Sequence, residues 1–292
     1  MTLQTKATLV ILASPFVAFA LAQLAGSNGV LVAGVPLFPI CIGVAFFSQW
    51  LAFIPAYIYQ SEHYFDLSGS ATYVVLALMG LLLGSQGDLR STLLAIVMIV
   101  WATRLGGFLF LRVRKKGSDS RFTDIIPDFR VYLLTWTLQA MWISITASCA
   151  LLAMTSLNKI PFDGWALSGL ILWFLGFAIE VTADRQKQLF RAQPENATRF
   201  ITTGLWAFSR HPNYLGEIML WTGVAIIAFP VLMGWQLLSL LSPLFVLFLL
   251  TKVSGIEMQE RQNDRSWGND PVYIKYKANT PMLFPVTRPS VL

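Results

Sequence analysis

Cysteine and histidine are nearly missing from this chain, which carries only Cys41, Cys149, His63 and His211 in 292 residues. Both cysteines sit inside apolar stretches with no Cys or His at metal-ligand spacing, which argues against a disulfide framework and against a zinc or other metal site. Charge is scarce as well. Charged residues make up 12% against 55% hydrophobic ones, and the mean hydropathy of +0.62 lies outside the range of soluble domains. No G-x-G-x-x-G run follows a strand pattern, so a Rossmann domain is excluded and any nucleotide has to bind between helices. Linkers rich in Gly, Ser or Pro are absent and no internal repeat is visible, which leaves one integral membrane domain over residues 1–292, with N-terminal spans in 1–60 and a core in 61–292.

Long apolar runs dominate what remains. A bilayer core of about 30 Å needs roughly 20 apolar residues per helix. Eight stretches meet or approach that length: Ala7–Ala25, Leu37–Tyr59, Ala71–Leu83, Thr92–Leu111, Val131–Met154, Trp165–Val181, Leu215–Leu232 and Leu237–Thr251. The expected fold is therefore an all-α polytopic membrane helical bundle of seven to eight spans with a cytoplasmic cap. The third stretch is short, so it is tilted, re-entrant or extended by Ser68–Ser70. The first ends in Ala20-Leu21-Ala22, which resembles a cleavage site, but Lys6 alone is a weak basic flank and the run is long enough to span.

Lys and Arg set the orientation. With both termini inside, all 21 basic residues except Arg90, Lys159 and the intramembrane Arg104 fall in cytoplasmic segments. A net charge of +6 thus reflects topology, not nucleic-acid binding, because the cations lie in loops between spans. An integral protein of a bacterial inner membrane is the expected setting. Pro230 and Gly234 mark a tight outer hairpin between the last two spans.

Two polar runs share one cytoplasmic loop. Asp184, Lys187 and Arg191 are spaced i, i+3 and i+7, so they share a helix face that presents two cations to one ligand or to anionic headgroups. Arg210 and His211 precede Pro212 at the start of the seventh span, where free backbone N–H groups and the helix dipole favour an anion such as phosphate. Asn213, Tyr214 and Glu217 add groups suited to a ribose or an amide. Capping alone does not account for an acid one turn inside an apolar helix.

Gln186-Lys187-x-x-Phe190-Arg191, followed by Arg210-His211-Pro212-Asn213-Tyr214-Leu215-Gly216-Glu217, resembles the C-terminal half of the steroid 5α-reductase and sterol C14-reductase superfamily, and most of all its bacterial DUF1295 branch. The resemblance covers Trp173–Pro285 and, more weakly, Asp66–Val113. It implies an NADPH-dependent reduction of a carbon–carbon double bond in a lipid-like substrate, steroid-like or isoprenoid-like. It also implies that Asp184, Lys187, Arg191, Arg210, His211, Asn213, Tyr214 and Glu217 hold the cofactor, with Glu260, Arg261, Tyr273 and Tyr276 closing over it. Asp66 falls near where the steroid reductases carry a Gln-Glu pair, and Trp101 where they carry a tyrosine; both departures put a 3-oxo-steroid substrate in doubt.

Three residues are candidates for the membrane-embedded chemistry: Asp66, Trp101 and Arg104. Hydride addition needs a proton source or an oxyanion stabiliser, which an acid at the lipid boundary, in the cluster with Glu62 and His63, can supply. Asp66 equally suits a helix cap and Arg104 equally suits snorkelling. Two other functions compete. Isoprenylcysteine carboxyl methyltransferases share an Arg-His-Pro-x-Tyr-x-Gly run and bind S-adenosylmethionine, although Asn213, Glu217 and the Lys187/Arg191 pair favour the reductases. A non-catalytic transporter or lipid binder lacks the matched halves and midplane charges expected of it.

Overall fold

The computed structural model describes residues 3–284. Among them, eight helical segments are long and apolar enough to cross a membrane, so the protein is an all-α integral membrane bundle. The first five are α1 (Leu3–Gly26), α2 (Leu37–Ile58), α3 (Phe65–Met79), α4 (Leu89–Lys116) and α5 (Phe129–Thr155). Then come α6 (Gly164–Ala192) and α7 (Pro212–Ala228). The eighth segment is composite, with a 3-10 stretch (Gly234–Leu241), α8 (Ser242–Phe248), a π turn (Leu249–Val253) and α9 (Ile256–Trp267); the polar α10 (Pro271–Asn279) follows.

Local chemistry explains the boundaries. The Asp88 carboxylate accepts from Ser91 N at the start of α4, and Asp128 accepts from Arg130 N and Val131 N at the start of α5. Gly117 ends α4 at φ +88°, a conformation that L side chains avoid. The short third apolar stretch becomes a 20-residue helix, Phe65–Gly84, because helix is added on its N-terminal side and its last turn relaxes into a π turn at Gly80–Gly84. Ala33 and Gly34, both at positive φ, close a two-residue turn in a small ribbon, Leu31–Val32 against Val35–Pro36.

The chain forms two compact units. One contains residues up to Ala166 together with Ala225–Ser242. Its aromatic core joins Phe53, Phe122, Tyr132 and Trp136, with Phe65 edge-on to Trp136 at 5.0 Å. Arg90, 2% exposed, donates to the carbonyls of Ile160 (3.2 Å), Pro161 (2.8 Å) and Ile227 (2.5 Å) and pairs with Asp163 at 2.8 Å. Lys159 donates to Gly84 O and Met154 O and pairs with Asp88 at 3.3 Å. Each of these cations thus satisfies backbone carbonyls at or beside helix ends.

The other unit contains Leu167–Val224 and the chain from Pro243 onwards. Its foundation is a backbone-to-backbone seam between α6 and α7. A Cβ placed on Gly216 would stand 2.5 Å from Gly176 O and 2.6 Å from Glu180 N. One on Gly223 would stand 2.6 Å from Gly169 O. Glycines seven apart on each helix, 169/176 and 216/223, thus line a single face and let the axes approach closely. The seam brings the polar end of α6 beside the start of α7.

Candidate functional site

The site grows out of the polar end of α6. Glu180, Asp184, Lys187 and Arg191 follow one another at i, i+4, i+7 and i+11, which keeps all four on one helix face. Glu180 is 2% exposed and Asp184 7%, so the face runs from buried acids to accessible cations. Beyond α6 the chain returns through a 3-10 turn, Gly204–Ala207, tied to α6 by Leu205 N donating to Gln186 Oε1 (2.9 Å) and Trp206 Nε1 donating to Ala183 O (3.1 Å). This return sets the Trp206 ring under Lys187, whose ammonium lies 4.5 Å from the ring centroid.

Arg210 and His211 stand at the mouth of α7, and Glu260 on α9 reaches both. Its carboxylate accepts from Arg210 Nη1 at 2.7 Å and from His211 Nε2 at 2.9 Å, with Lys277 Nζ at 3.5 Å. Burial pushes the His211 imidazole below its ordinary pKa, helped by Lys187 and Arg210 and against the upward pull of Glu260. The ring is therefore neutral near pH 7, with the proton on Nε2 and a lone pair on Nδ1. Among the described residues that Nδ1 is buried with no hydrogen-bond partner, as are Arg210 Nε and Asn213 Oδ1. Tyr214 lies parallel to the imidazole at 5.7 Å and accepts from Gln259 Nε2.

Aromatic rings complete the walls. Phe200 packs against Trp267, Tyr273 and Tyr276 at 5.6, 5.2 and 5.7 Å. Tyr276 Oη donates to Trp206 O and Tyr273 Oη to Asp264, and burial raises both phenols well above their usual pKa. The resulting cleft is lined by Lys187, Arg191, Arg210, His211, Glu260, Tyr273 and Tyr276 from the residues singled out in the sequence. It offers three cations, one carboxylate, an unprotonated ring nitrogen and flat aromatic faces. That set suits a ligand with phosphate, hydrogen-bonding and planar parts.

Other sequence candidates lie elsewhere. Asp184, Asn213, Tyr214 and Glu217 do not line the cleft; Asp184 and Glu217 are buried on their helices, 7% and 8% exposed. Arg261 is exposed, pairs with Glu257 one turn away, and is turned from the cleft. Trp206, Lys277 and the wall residues Phe200 and Trp267 escaped the sequence reading, since no local pattern marks them. Glu180, a lone acid inside an apolar span four residues before Asp184, had a local signal but does not line the cleft.

Asp66, Trp101 and Arg104 belong to the first unit. Asp66 lies inside the first turn of α3, whose N-cap is Tyr64, and its carboxylate is 3.6 Å from Arg121. Arg121 also pairs with Asp119 at 2.6 Å, and buried Glu62 accepts from Asp119 N at 2.6 Å. Asp66 is therefore not the N-cap of α3. Trp101 is 4% exposed and edge-on to Tyr73 at 5.1 Å, while the Arg104 guanidinium lies 5.2 Å from the Phe108 ring.

The family described as "Protein of unknown function (DUF1295)" matches residues 52–280. A Delta(14)-sterol reductase of Gibberella zeae is 28% identical over 109 residues, covering 32% of this chain and 22% of that protein. An uncharacterized protein of Schizosaccharomyces pombe is 24% identical over 186 residues, covering 51% of this chain and 52% of that protein. The matched regions therefore span about half of one relative and about a fifth of the other.

Proposed function

The chain belongs to the DUF1295 family, and we propose that it is an NADPH-dependent membrane reductase that saturates a carbon–carbon double bond of a lipid-like substrate, steroid-like or isoprenoid-like. The observation that carries the proposal is the convergence of Lys187 and Arg191 from α6 with Arg210 and His211 from the start of α7 on one cleft closed by α9 and α10. Partial similarity to a sterol reductase supports the reaction class.

The residues present suit such a cofactor. Buried polar atoms without partners among the described residues, Arg210 Nε and His211 Nδ1, are groups that a ligand would complete. Cations match phosphates and the aromatic faces match a planar base. The enclosed space at the centre is about 40 Å³, room for a water and not for a nucleotide, so binding a nucleotide would require the cleft to open. When bound, NADPH supplies a hydride; the chain supplies phosphate-binding cations on α6 and, in the first unit, Asp66 as candidate proton source with Trp101 and Arg104 as candidate substrate contacts. The setting we assign is a bacterial inner membrane, with both termini and the cleft facing the cytoplasm.

Thermal unfolding of detergent-purified protein with NADPH, NADH or S-adenosylmethionine tests the reading, since a ligand that binds only the folded state raises the midpoint. NADPH at a hundred times its Kd should contribute about 2.7 kcal/mol. Lys187→Ala and Arg191→Ala should each weaken NADPH about tenfold, the scale of one charge-assisted hydrogen bond, and NADH less if either cation touches the 2′-phosphate. Protection by S-adenosylmethionine and none by NADPH would instead establish a methyltransferase.

A further inference from the structure

The mouth of α7 reads from sequence as a phosphate site, with Arg210, His211 and a helix N-terminus together. In the folded chain that charge already has an anion. Glu260 holds Arg210 Nη1 at 2.7 Å, His211 Nε2 at 2.9 Å and Lys277 Nζ at 3.5 Å, and its side chain is only 15% exposed. The carboxylate occupies the position where a phosphate oxygen would seek the same donors. Displacing it would strand a largely buried charge away from all three partners, and a buried charge without its partners is costly. Beside the guanidinium of Arg210, which Glu260 pairs and whose Nε has no partner among the described residues, what α7 still offers the cleft is neutral: the buried Nδ1 of His211, likewise without a partner among the described residues, on a side chain 2% exposed, which with its proton held on Nε2 acts as an acceptor.

We infer that Glu260 is a resident counter-anion that excludes phosphate from the mouth of α7, so that Lys187 and Arg191 on α6 read the ligand's phosphate while His211 Nδ1 reads an uncharged N–H or O–H donor such as a carboxamide, an exocyclic amine or a ribose hydroxyl. This rests on the nucleotide reading above and refines it. Glu260 becomes a specificity-determining residue. It sets the polarity of the ligand group admitted beside α7 and fixes the His211 tautomer that receives it.

Inorganic pyrophosphate and NADPH, titrated against purified full-length protein and followed by thermal unfolding, test the inference. Glu260→Gln removes the internal charge and should bind pyrophosphate at least tenfold more tightly than the wild type, with Glu260→Asp behaving like the wild type. The Lys187→Ala/Arg191→Ala double variant should lose at least tenfold in any pyrophosphate protection that the wild type shows. His211→Phe should weaken NADPH about tenfold and leave pyrophosphate unchanged. Pyrophosphate affinity within twofold of wild type in Glu260→Gln, or tighter NADPH binding there, would overturn the inference, because the carboxylate would then be a placeholder that the ligand's phosphate expels. If Glu260→Gln does not fold, the double variant and His211→Phe still decide: equal losses of NADPH and pyrophosphate in His211→Phe would put phosphate at α7. Failure of NADPH to protect any form, with the pyrophosphate pattern intact, would remove the dinucleotide and keep the assignment of subsites.

Discussion

Substituting Gly216 by alanine tests whether the α6–α7 seam is what builds the site. The added Cβ would lie 2.5 Å from Gly176 O and 2.6 Å from Glu180 N, against an ordinary contact of at least about 3.4 Å. Both obstacles are backbone, so no rotamer change relieves them, and the helices have to part by roughly 1 Å. Overpacking of this kind costs about 1–3 kcal/mol, and the higher helix propensity of alanine returns up to about 1 kcal/mol. Gly107, in the interior of α4 with open space within 4 Å of where a Cβ would stand, supplies the internal control: there alanine keeps the propensity gain and meets nothing. The propensity gain is common to both, so the two variants should differ by the overpacking cost of about 1–3 kcal/mol, which at this chain length is a separation of several degrees in the unfolding midpoint measured in one detergent. Gly216→Ala should also lose NADPH protection, because Lys187 and Arg210 ride on the two helices that move apart. A Gly216→Ala midpoint equal to or above that of Gly107→Ala would refute the close-packed seam.

The clamp at Arg90 should be equally visible. Arg90→Met keeps the volume but removes the donors to three carbonyls and the partner of Asp163, so a loss of about 3–5 kcal/mol is expected in thermal unfolding; a loss below about 1 kcal/mol would show those carbonyls satisfied by other means. His211 supplies a pH dependence. Its folded-state pKa lies below the unfolded value near 6.5, so the folded form binds fewer protons, and its contribution to stability is complete above about pH 6.5 and is lost as pH falls through the folded pKa. Midpoints of wild type and His211→Asn measured from pH 7.5 down to 5 should diverge in slope, the variant being flatter; parallel curves would remove the buried neutral imidazole.

Composition and hydropathy alone determined that this is a multi-span helical membrane protein, because burying a backbone in lipid leaves only helices or closed barrels and the apolar runs have helix length. The facial spacing of Lys187 and Arg191 was legible for the same reason: helical periodicity is local. Most of the short third span was local too, but the close packing of its π turn was tertiary, since a Cβ on Gly80 would stand 2.8 Å from Met154 Cε. Tertiary structure alone decided who partners whom at the site. Glu260 is about fifty residues from Arg210 and His211, pairs with the first and accepts a hydrogen bond from the second, Lys277 joins from α10, and Arg261, one residue beyond Glu260, is turned away from the cleft. A one-residue step rotates a helical side chain by about 100°, so the choice between a pocket acid and a surface arginine depends on how α9 is docked, and docking is a property of the folded unit, invisible in any window of sequence.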